Sequence, residues 1–175
     1  ENGRRITTIT VDSDKLDEIL QGEGEGATVT LRFTSSTDTA ISVLTGQMIK
    51  DMEEQQATLE IRTGSVTYIL PASRIDIDQI AGQFGNDVAL GDIVVKITIS
   101  EPSDQMIEIL ENAAEEGGFS IKVPAVEFTV TCTYDGETVE VGSFNGYVQR
   151  LIEIPDGVDP NEITTAVVVN ADGST

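Results

Sequence analysis

The sequence predicts an α+β fold, in which strand-helix-strand units pack helices on a mixed or antiparallel sheet and a β-rich C-terminal half follows. Several short segments alternate apolar and polar residues, which is typical of strands with one buried face. Between them, apolar residues recur at helical spacing after small polar residues that suit a helix N-cap. From Phe119 onward the helical spacing disappears. We therefore expect an α+β region over residues 1–118 and a β-rich region over residues 119–175.

Four helices are expected in the first region, and each ends at or near a turn. Their apolar stripes are Leu16, Ile19 and Leu20; Met48, Ile49 and Met52; Ile77, Ile80, Ala81 and Phe84; and Met106, Ile107 and Leu110. The strands expected around them cover residues 6–11, 29–33, 40–44, 59–61, 66–70 and 93–99. The helices recur about every 30 residues, which suggests an internal duplication, although no side-chain motif recurs at that period.

The second region carries turn signals between alternating segments. Asp135 and Gly136 join two such segments and predict a hairpin. Further strands are expected over residues 147–154 and 166–169, and the second of these runs into a turn at Asp172 and Gly173. That turn calls for a partner strand, so we expect the region to continue beyond Thr175. Because the sequence starts at Glu1 without a signal peptide, we also expect that a leader or an upstream domain was removed.

The chain is strongly acidic, with 31 Asp and Glu against 10 Lys and Arg and a formal charge of -21. Such a field repels phosphate backbones and anionic membrane surfaces, so nucleic acid and membranes are not expected as partners. No window is long and apolar enough for a membrane-spanning helix. Solubility is the simpler explanation of the charge, and a need for divalent cations is the alternative.

The sequence lacks the residues that several kinds of catalytic site require. The chain has no histidine, which excludes Ser-His-Asp and Cys-His sites, and a single cysteine, which excludes disulfides and Cys-rich metal centres. The alternating segment around Cys132 favours a packed strand residue. Because no glycine-rich phosphate loop is present either, we expect no enzymatic activity and no cofactor. A glycoside hydrolase with two carboxylates remains as a lesser alternative.

Paired acidic residues are the candidates for a metal site. Calcium takes oxygen ligands, and carboxylates cluster in three places, none of which has the spacing of a helix-loop-helix calcium loop. The candidates are Asp12 with Asp14, Asp76 with Asp78, and Asp156 with Asp159. Helix capping and turn formation explain the same residues.

Two further features bear on ligands. Aromatic rings often form platforms for sugars, and the candidates are Tyr68, Tyr134 and Tyr147, for which core packing is the favoured role. The Ser- and Thr-rich residues 34–39 could accept glycans, but a polar loop between strands has the same composition.

Residues 128–175, FTVTCTYDGETVEVGSFNGYVQRLIEIPDGVDPNEITTAVVVNADGST, resemble the region that precedes S-layer homology repeats in surface proteins of spore-forming Gram-positive bacteria. The stretches ITVDSDKLDEIL, ATLEIRTGSVTYILPASRIDIDQIAGQFG and VVKITISEPS are similar in order to the same region, so the resemblance covers nearly the whole chain. It implies an extracellular location at the cell surface or cell wall, with the anchoring repeats downstream. It implies no catalytic or ligand residues.

These observations predict a non-catalytic structural or spacer module of a bacterial cell-surface, S-layer-associated protein. Its expected partners are other domains of the same surface protein, with cell-wall glycan or neighbouring surface proteins as further candidates. The alternative is a carbohydrate- or protein-binding module, which would need an exposed aromatic or apolar patch.

Overall fold

The computed structural model describes residues 4–34, 37–85, 87–170 and 172–175. Within them the chain is an α+β protein, as the sequence predicts. The helices are α1 (Ser13–Glu23), α2 (Gly46–Glu54), α3 (Ile77–Phe84) and α4 (Asp104–Gly117). The strands are β1 (Ile6–Thr10), β2 (Thr28–Arg32), β3 (Thr39–Thr45), β4 (Thr58–Arg62), β5 (Val66–Pro71), β6 (Val94–Ser100), β7 (Glu127–Tyr134), β8 (Glu137–Glu140) and β9 (Gln149–Ile152).

Each α-helix begins at a residue whose side chain accepts a hydrogen bond from the third backbone amide that follows it. These bonds satisfy donors that have no partner inside a helix, which is why short polar residues precede the apolar stripes. The four caps are Asp12, Thr45, Asp76 and Ser103. The predicted helix positions are therefore confirmed, and Ser103 rather than its neighbour Asp104 caps α4.

The strands form two mixed sheets. One has the order β1-β3-β6-β7-β8, in which β1 and β3 are parallel and β7 and β8 form the predicted antiparallel hairpin. The other has the order β2-β4-β5-β9, in which β2 and β4 are parallel and β5 is antiparallel to both β4 and β9. Because β9 pairs with β5, the second sheet combines strands from both regions that the sequence had separated.

Two compact units divide the chain. The first contains Glu1–Ile99 and Phe128–Ile152, and the second contains Ser100–Glu127 and Glu153–Thr175. The predicted division at residue 118 coincides with none of the places where the chain passes from one unit to the other. Hairpin β7–β8 and strand β9 belong to the first unit because they complete its sheets.

The first unit has an aliphatic core. The largest side chains with less than 2% exposure are Leu16, Leu44, Ile49, Met52, Leu59, Ile61, Tyr68, Leu70, Ile75, Ile77, Ile93 and Ile97. Ser42 in β3 is the one buried polar residue in the described ranges, and its Oγ has no hydrogen-bond partner there. Burial of apolar area at about 25 cal/mol per Å² is thus the main stabilising contribution to this unit.

The second unit contains α4 and the C-terminal segment from Glu153 to Thr175. Lys122 Nζ lies 2.6 Å from Glu162 Oε2 and links the two parts of the chain that form this unit. The strand predicted over residues 166–169 is wrong: these residues pair with no strand in the described part of the chain. The turn that follows them is formed, with Gly173 N–H donating to Asn170 O at 2.9 Å.

Candidate functional site

The six carboxylates proposed as metal ligands lie at separate capping and turn positions. Asp12 and Asp76 cap α1 and α3, with Oδ1 accepting from Lys15 N at 3.1 Å and from Gln79 N at 2.9 Å. Asp159 starts a short 3-10 helix, and the amide of Asn161 donates to its Oδ1 at 2.9 Å. This backbone bond, together with one from the Asn161 side chain, lowers the pKa of Asp159.

The other three candidates are exposed. Asp14 lies in the first turn of α1, and Asp156 lies in the turn before Gly157. Asp78 Oδ2 lies 2.7 Å from Lys50 Nζ, and this ion pair links α3 to α2. The hydrogen bond from Lys50 to Asp78 is the largest cause of the raised pKa of Lys50. No group of three or more His, Cys, Asp or Glu side chains in the described ranges could hold a metal ion. Calcium binding stays a prediction, and capping and ion pairing explain four of the six residues.

Cys132 lies inside the five-stranded sheet. Its side chain is fully buried on β7, and the loss of solvation raises the pKa of the thiol to about 11. A neutral, inaccessible thiol is a poor nucleophile. The described surroundings of Cys132 therefore fit the packed strand residue that the sequence predicts.

The three tyrosines occupy different environments. Tyr68 is fully buried against Phe128, with ring centroids 5.0 Å apart, and Tyr134 packs on Phe84 at 5.9 Å. Core packing was the expectation for all three, and for Tyr147 it is wrong, because this side chain is 99% exposed. Tyr147 precedes β9 instead of lying within it, so its side chain is not directed into the core by strand alternation.

Tyr147 borders a surface groove on the four-stranded sheet. The groove has a volume of about 450 Å³ and is lined by Ile69, Pro71, Tyr147, Val148 and Gln149. In β5, residues 66, 68 and 70 are buried, whereas residues 67, 69 and 71 are half-buried on the opposite face. Gln149 lies directly opposite Ile69 in the ladder. The groove therefore lies on the outer face of the sheet, where β5 meets the start of β9.

The loop before Tyr147 is attached to the chain that follows β5. Arg74 Nη1 donates to Asn145 O at 2.6 Å, and Asn145 N–H donates to Arg74 O at 3.1 Å. Gly146 adopts a φ of +127°, and a Cβ at this position would lie 2.6 Å from Arg74 Nη1. Only glycine provides this backbone conformation and this close approach. Arg74 and Gly146 thus set the position from which Tyr147 projects.

The groove combines an aromatic face with apolar and amide groups. The ring of Tyr147 offers a stacking surface, Ile69 and Pro71 offer apolar area, and the amide of Gln149 can both donate and accept hydrogen bonds. No Asp, Glu, Lys or Arg is among the five lining residues. The arrangement suits a neutral ligand with an apolar face and polar edges, such as a pyranose ring or an uncharged peptide segment.

A cation covers the aromatic pair on the other face of the same sheet. The guanidinium carbon of Arg150 lies 5.5 Å from the ring centroid of Tyr68 and 5.1 Å from that of Phe128. Burial raises the pKa of Tyr68, and the nearby charge of Arg150 opposes that effect. Strand alternation separates this contact from Gln149 and Leu151, which point to the groove side.

The sequence contained a weak signal for this groove. Asn145 and Gly146 are turn residues directly before a β-rich segment, which indicates a constrained connection. The pairing of β9 with β5 joins residues about 80 positions apart in the sequence. No local pattern predicts a contact of that kind. Ser35 and Ser36, in the segment 34–39 for which a polar loop was favoured over a glycan-accepting one, lie outside the described residues.

None of the helices in the described ranges combines the length and the apolar character that crossing a bilayer requires. A scan against protein-family models and searches of curated proteins and of solved structures found no match to the chain.

Proposed function

We propose that this chain is a non-catalytic structural or spacer module of a bacterial cell-surface protein of the S-layer-associated kind. The resemblance of residues 128–175 to the region before S-layer homology repeats supports the location at the cell surface or cell wall. A formal charge of -21 fits a module that stays solvated and does not associate through its charged surface. Other domains of the same protein are then its first partners.

The main observation in support of this proposal is that the polar side chains cap helices and form ion pairs within the fold. The polar groups Asp12, Thr45, Asp76 and Ser103 hold helix ends, and Lys50 and Lys122 link neighbouring elements through ion pairs. The buried residues in the described ranges are almost all apolar. Side chains that maintain the fold in this way suit a scaffold, whose task is to keep a defined spacing between its neighbours.

The coding sequence and the cell fraction test this role. S-layer homology repeats in the same reading frame, together with recovery of the protein in the cell-wall fraction, are the expected results. A catalytic domain in that frame would make the chain an accessory module of an enzyme. Recovery in the cytoplasmic fraction from intact, washed cells would contradict the proposal.

A second candidate function, a binding module for carbohydrate or protein, is favoured by Tyr147. A side chain that is 99% exposed beside an apolar groove contributes nothing to the core, and exposed aromatic rings of this kind are common at recognition sites. The uncharged lining favours a neutral glycan over an anionic polymer, which the acidic surface repels.

A titration with the tetramer of N-acetylglucosamine, a sugar of the bacterial cell wall, tests this candidate. We expect amide shift changes in the NMR spectrum at Ile69 and Val148 to Gln149, with Tyr147→Ala weakening binding at least tenfold because the stacking face is lost. Tyr147→Phe keeps the ring and should retain most of the affinity. Ile121→Ala removes an exposed apolar side chain outside the groove and serves as the control. Equal binding by Tyr147→Ala and wild type would reject the groove as the site.

A further inference from the structure

Asn145 combines three features that favour a reaction between its side chain and the next peptide nitrogen. It is exposed, glycine follows it, and its side-chain amide makes no hydrogen bond within the described ranges. Asn161 differs, because its Nδ2 donates to Asp159 Oδ1 at 2.8 Å. Asn112 differs, because alanine follows it and a Cβ hinders the approach to the nitrogen. Asn145 is therefore the described asparagine most suited to react with its own backbone.

The reaction is a cyclisation that loses ammonia. A solvent base removes the proton of the Gly146 nitrogen, which then attacks Cγ of Asn145. The N–Cγ bond forms, the Cγ–Nδ2 bond breaks, and Nδ2 takes a proton from water and leaves as ammonia. Water then opens the resulting succinimide ring. Opening at Cγ gives aspartate with an ordinary backbone, whereas opening at the main-chain carbonyl carbon gives isoaspartate, whose backbone runs through Cβ and Cγ.

The folded loop holds Asn145 in a conformation that prevents ring closure. Gly146 N–H donates to Phe144 O at 2.7 Å, and the φ of Asn145 is not positive. Asn145 is therefore the central residue of an inverse γ-turn, with a ψ of about +65°. At this ψ the nitrogen of Gly146 and the Cβ of Asn145 lie on opposite sides of the Cα–C bond, whereas the ring needs them on the same side. Ring closure thus requires a rotation of about half a turn around this bond.

Arg74 opposes that rotation. Its Nη1 donates to Asn145 O at 2.6 Å, and its carbonyl oxygen accepts from Asn145 N–H at 3.1 Å. Rotation around the Cα–C bond of Asn145 turns the carbonyl oxygen away from Arg74, so the first of these hydrogen bonds must break before the ring can form. Hydrogen bonds from a charged donor are stronger than those between neutral groups. The reaction therefore needs a local opening of the loop.

We propose that Asn145 is a site of spontaneous deamidation and that Arg74 controls its rate. The paired loop protects the side chain, and each local opening exposes it to the reaction. Isoaspartate adds one carbon to the main chain between the N–H and the C=O that Arg74 binds, so the two hydrogen bonds cannot both re-form in their present geometry. The loop that carries Tyr147 is then released from Arg74 permanently. Deamidation thus converts a reversible opening into an irreversible one.

Peptide mapping by mass spectrometry tests the proposal on the whole chain, incubated in mildly alkaline buffer. Isoaspartyl methyltransferase, applied to the fragment that contains Asn145, identifies isoaspartate in it. The peptide SFNGYVQ, residues 143–149, gives the rate without the fold. We expect Asn145 in the folded chain to react at least about tenfold more slowly than in the peptide. Arg74→Ala should accelerate the reaction about tenfold, the factor that corresponds to one charged hydrogen bond.

Two control variants separate this local effect from a general loss of stability. Ile97→Ala weakens the core away from the loop, so it should accelerate the reaction less than Arg74→Ala does. Arg62→Ala removes an exposed arginine that pairs with Glu60, and it should leave the rate unchanged.

The stability of the product tests the release of the loop. The isoaspartate form, separated by ion exchange, should have a Tm at least about 2 to 4 °C below that of Asn145→Asp. Asn145→Asp is the matched control, because it carries the same charge on an ordinary backbone.

Four results would overturn this inference. Equal rates in the folded chain and in the peptide would show that the loop gives no protection. An unchanged or lower rate in Arg74→Ala would remove the controlling role of Arg74, and a lower rate would show that its charge promotes ionisation of the Gly146 amide. No modification of Asn145 in Arg74→Ala would remove the site. An isoaspartate form as stable as Asn145→Asp would contradict the release of the loop. The inference does not rest on the proposed function, because these rates are measured without a ligand and without reference to cell location.

Discussion

Replacing Gly146 with alanine should loosen the loop that presents Tyr147. The new Cβ would lie 2.6 Å from Arg74 Nη1 and 2.9 Å from Arg74 Cζ, so the guanidinium must move. Its movement removes the exposed, charged hydrogen bond to Asn145 O, worth about 1.5 kcal/mol, the lower end of the range for hydrogen bonds to charged groups. A φ of +127° adds strain of about 1 to 3 kcal/mol for a residue with a Cβ.

Together these losses amount to about 3 kcal/mol or more in the free energy of unfolding. For a chain of this size, each kcal/mol lowers Tm by about 2 to 4 °C, so Tm should fall by about 6 to 12 °C. Thermal unfolding followed by circular dichroism measures this change. Gly24→Ala is the matched control, since Gly24 has a φ of +75° with nothing within 4 Å of the added Cβ. Only the backbone strain of about 1 to 3 kcal/mol applies there, so Tm should fall by about half as much.

A double-mutant cycle separates the clash from the strain. If the contact with Arg74 causes most of the loss, then Gly146→Ala should cost less in an Arg74→Ala background than in the wild type, by at least about 1 kcal/mol. Additive effects of the two substitutions would refute the reasoning. So would a Gly146→Ala protein as stable as Gly24→Ala, because the two differ in the close approach to Arg74.

Three further predictions concern the core, the thiol and the acidic side chains. Ile97→Ala should lower the free energy of unfolding by about 2 to 5 kcal/mol in a urea titration, because Ile97 is fully buried in β6, whereas Val94→Ala on the exposed face of that strand should cost about 1 kcal/mol or less. Cys132 should not react with a thiol reagent at pH 8 until urea unfolds the chain. Burial raises the pKa of the Cys132 thiol from 9.0 to about 11, so the neutral thiol favours the folded state below pH 9. This contribution to stability is lost as the pH rises from 9 to 11. A stability difference between wild type and Cys132→Ala that is independent of pH over that range would contradict this prediction. Millimolar calcium should raise Tm no more than magnesium does, since Asp12, Asp76 and Asp159 already accept backbone hydrogen bonds, and a calcium-specific increase that chelator reverses would show that a site exists.

Local patterns predicted the helices and most strands because the signals are themselves local. Asp76 caps α3 through an amide three residues away, and the hairpin at Asp135 and Gly136 joins adjacent strands. Such contacts depend on a few neighbouring residues, so their residue types are visible in the sequence. The α+β class follows from them.

Features that depend on distant contacts were not predictable in this way. Residues 166–169 have strand composition but no partner in the described structure, since composition indicates a preference and pairing needs a second strand. Tyr147 was assigned to the core because the strand predicted over residues 147–154 begins with it, but the position of the loop depends on Arg74, 71 residues from Asn145. The same holds for the composition of the first unit, because β9 pairs with β5 although about 80 residues separate them in the sequence.

The position of β9 in the second sheet has a consequence for synthesis on the ribosome. β5 is complete at Pro71, and its partner β9 ends at Ile152, so about 80 residues are translated between them. At a translation rate of about 5 to 20 residues per second, the edge of β5 remains unpaired for roughly 4 to 16 seconds. During this interval, nascent chains expose an uncharged edge that includes Ile69 and Leu70. Chaperones that bind nascent chains would therefore protect this protein most while residues 72–148 are being made.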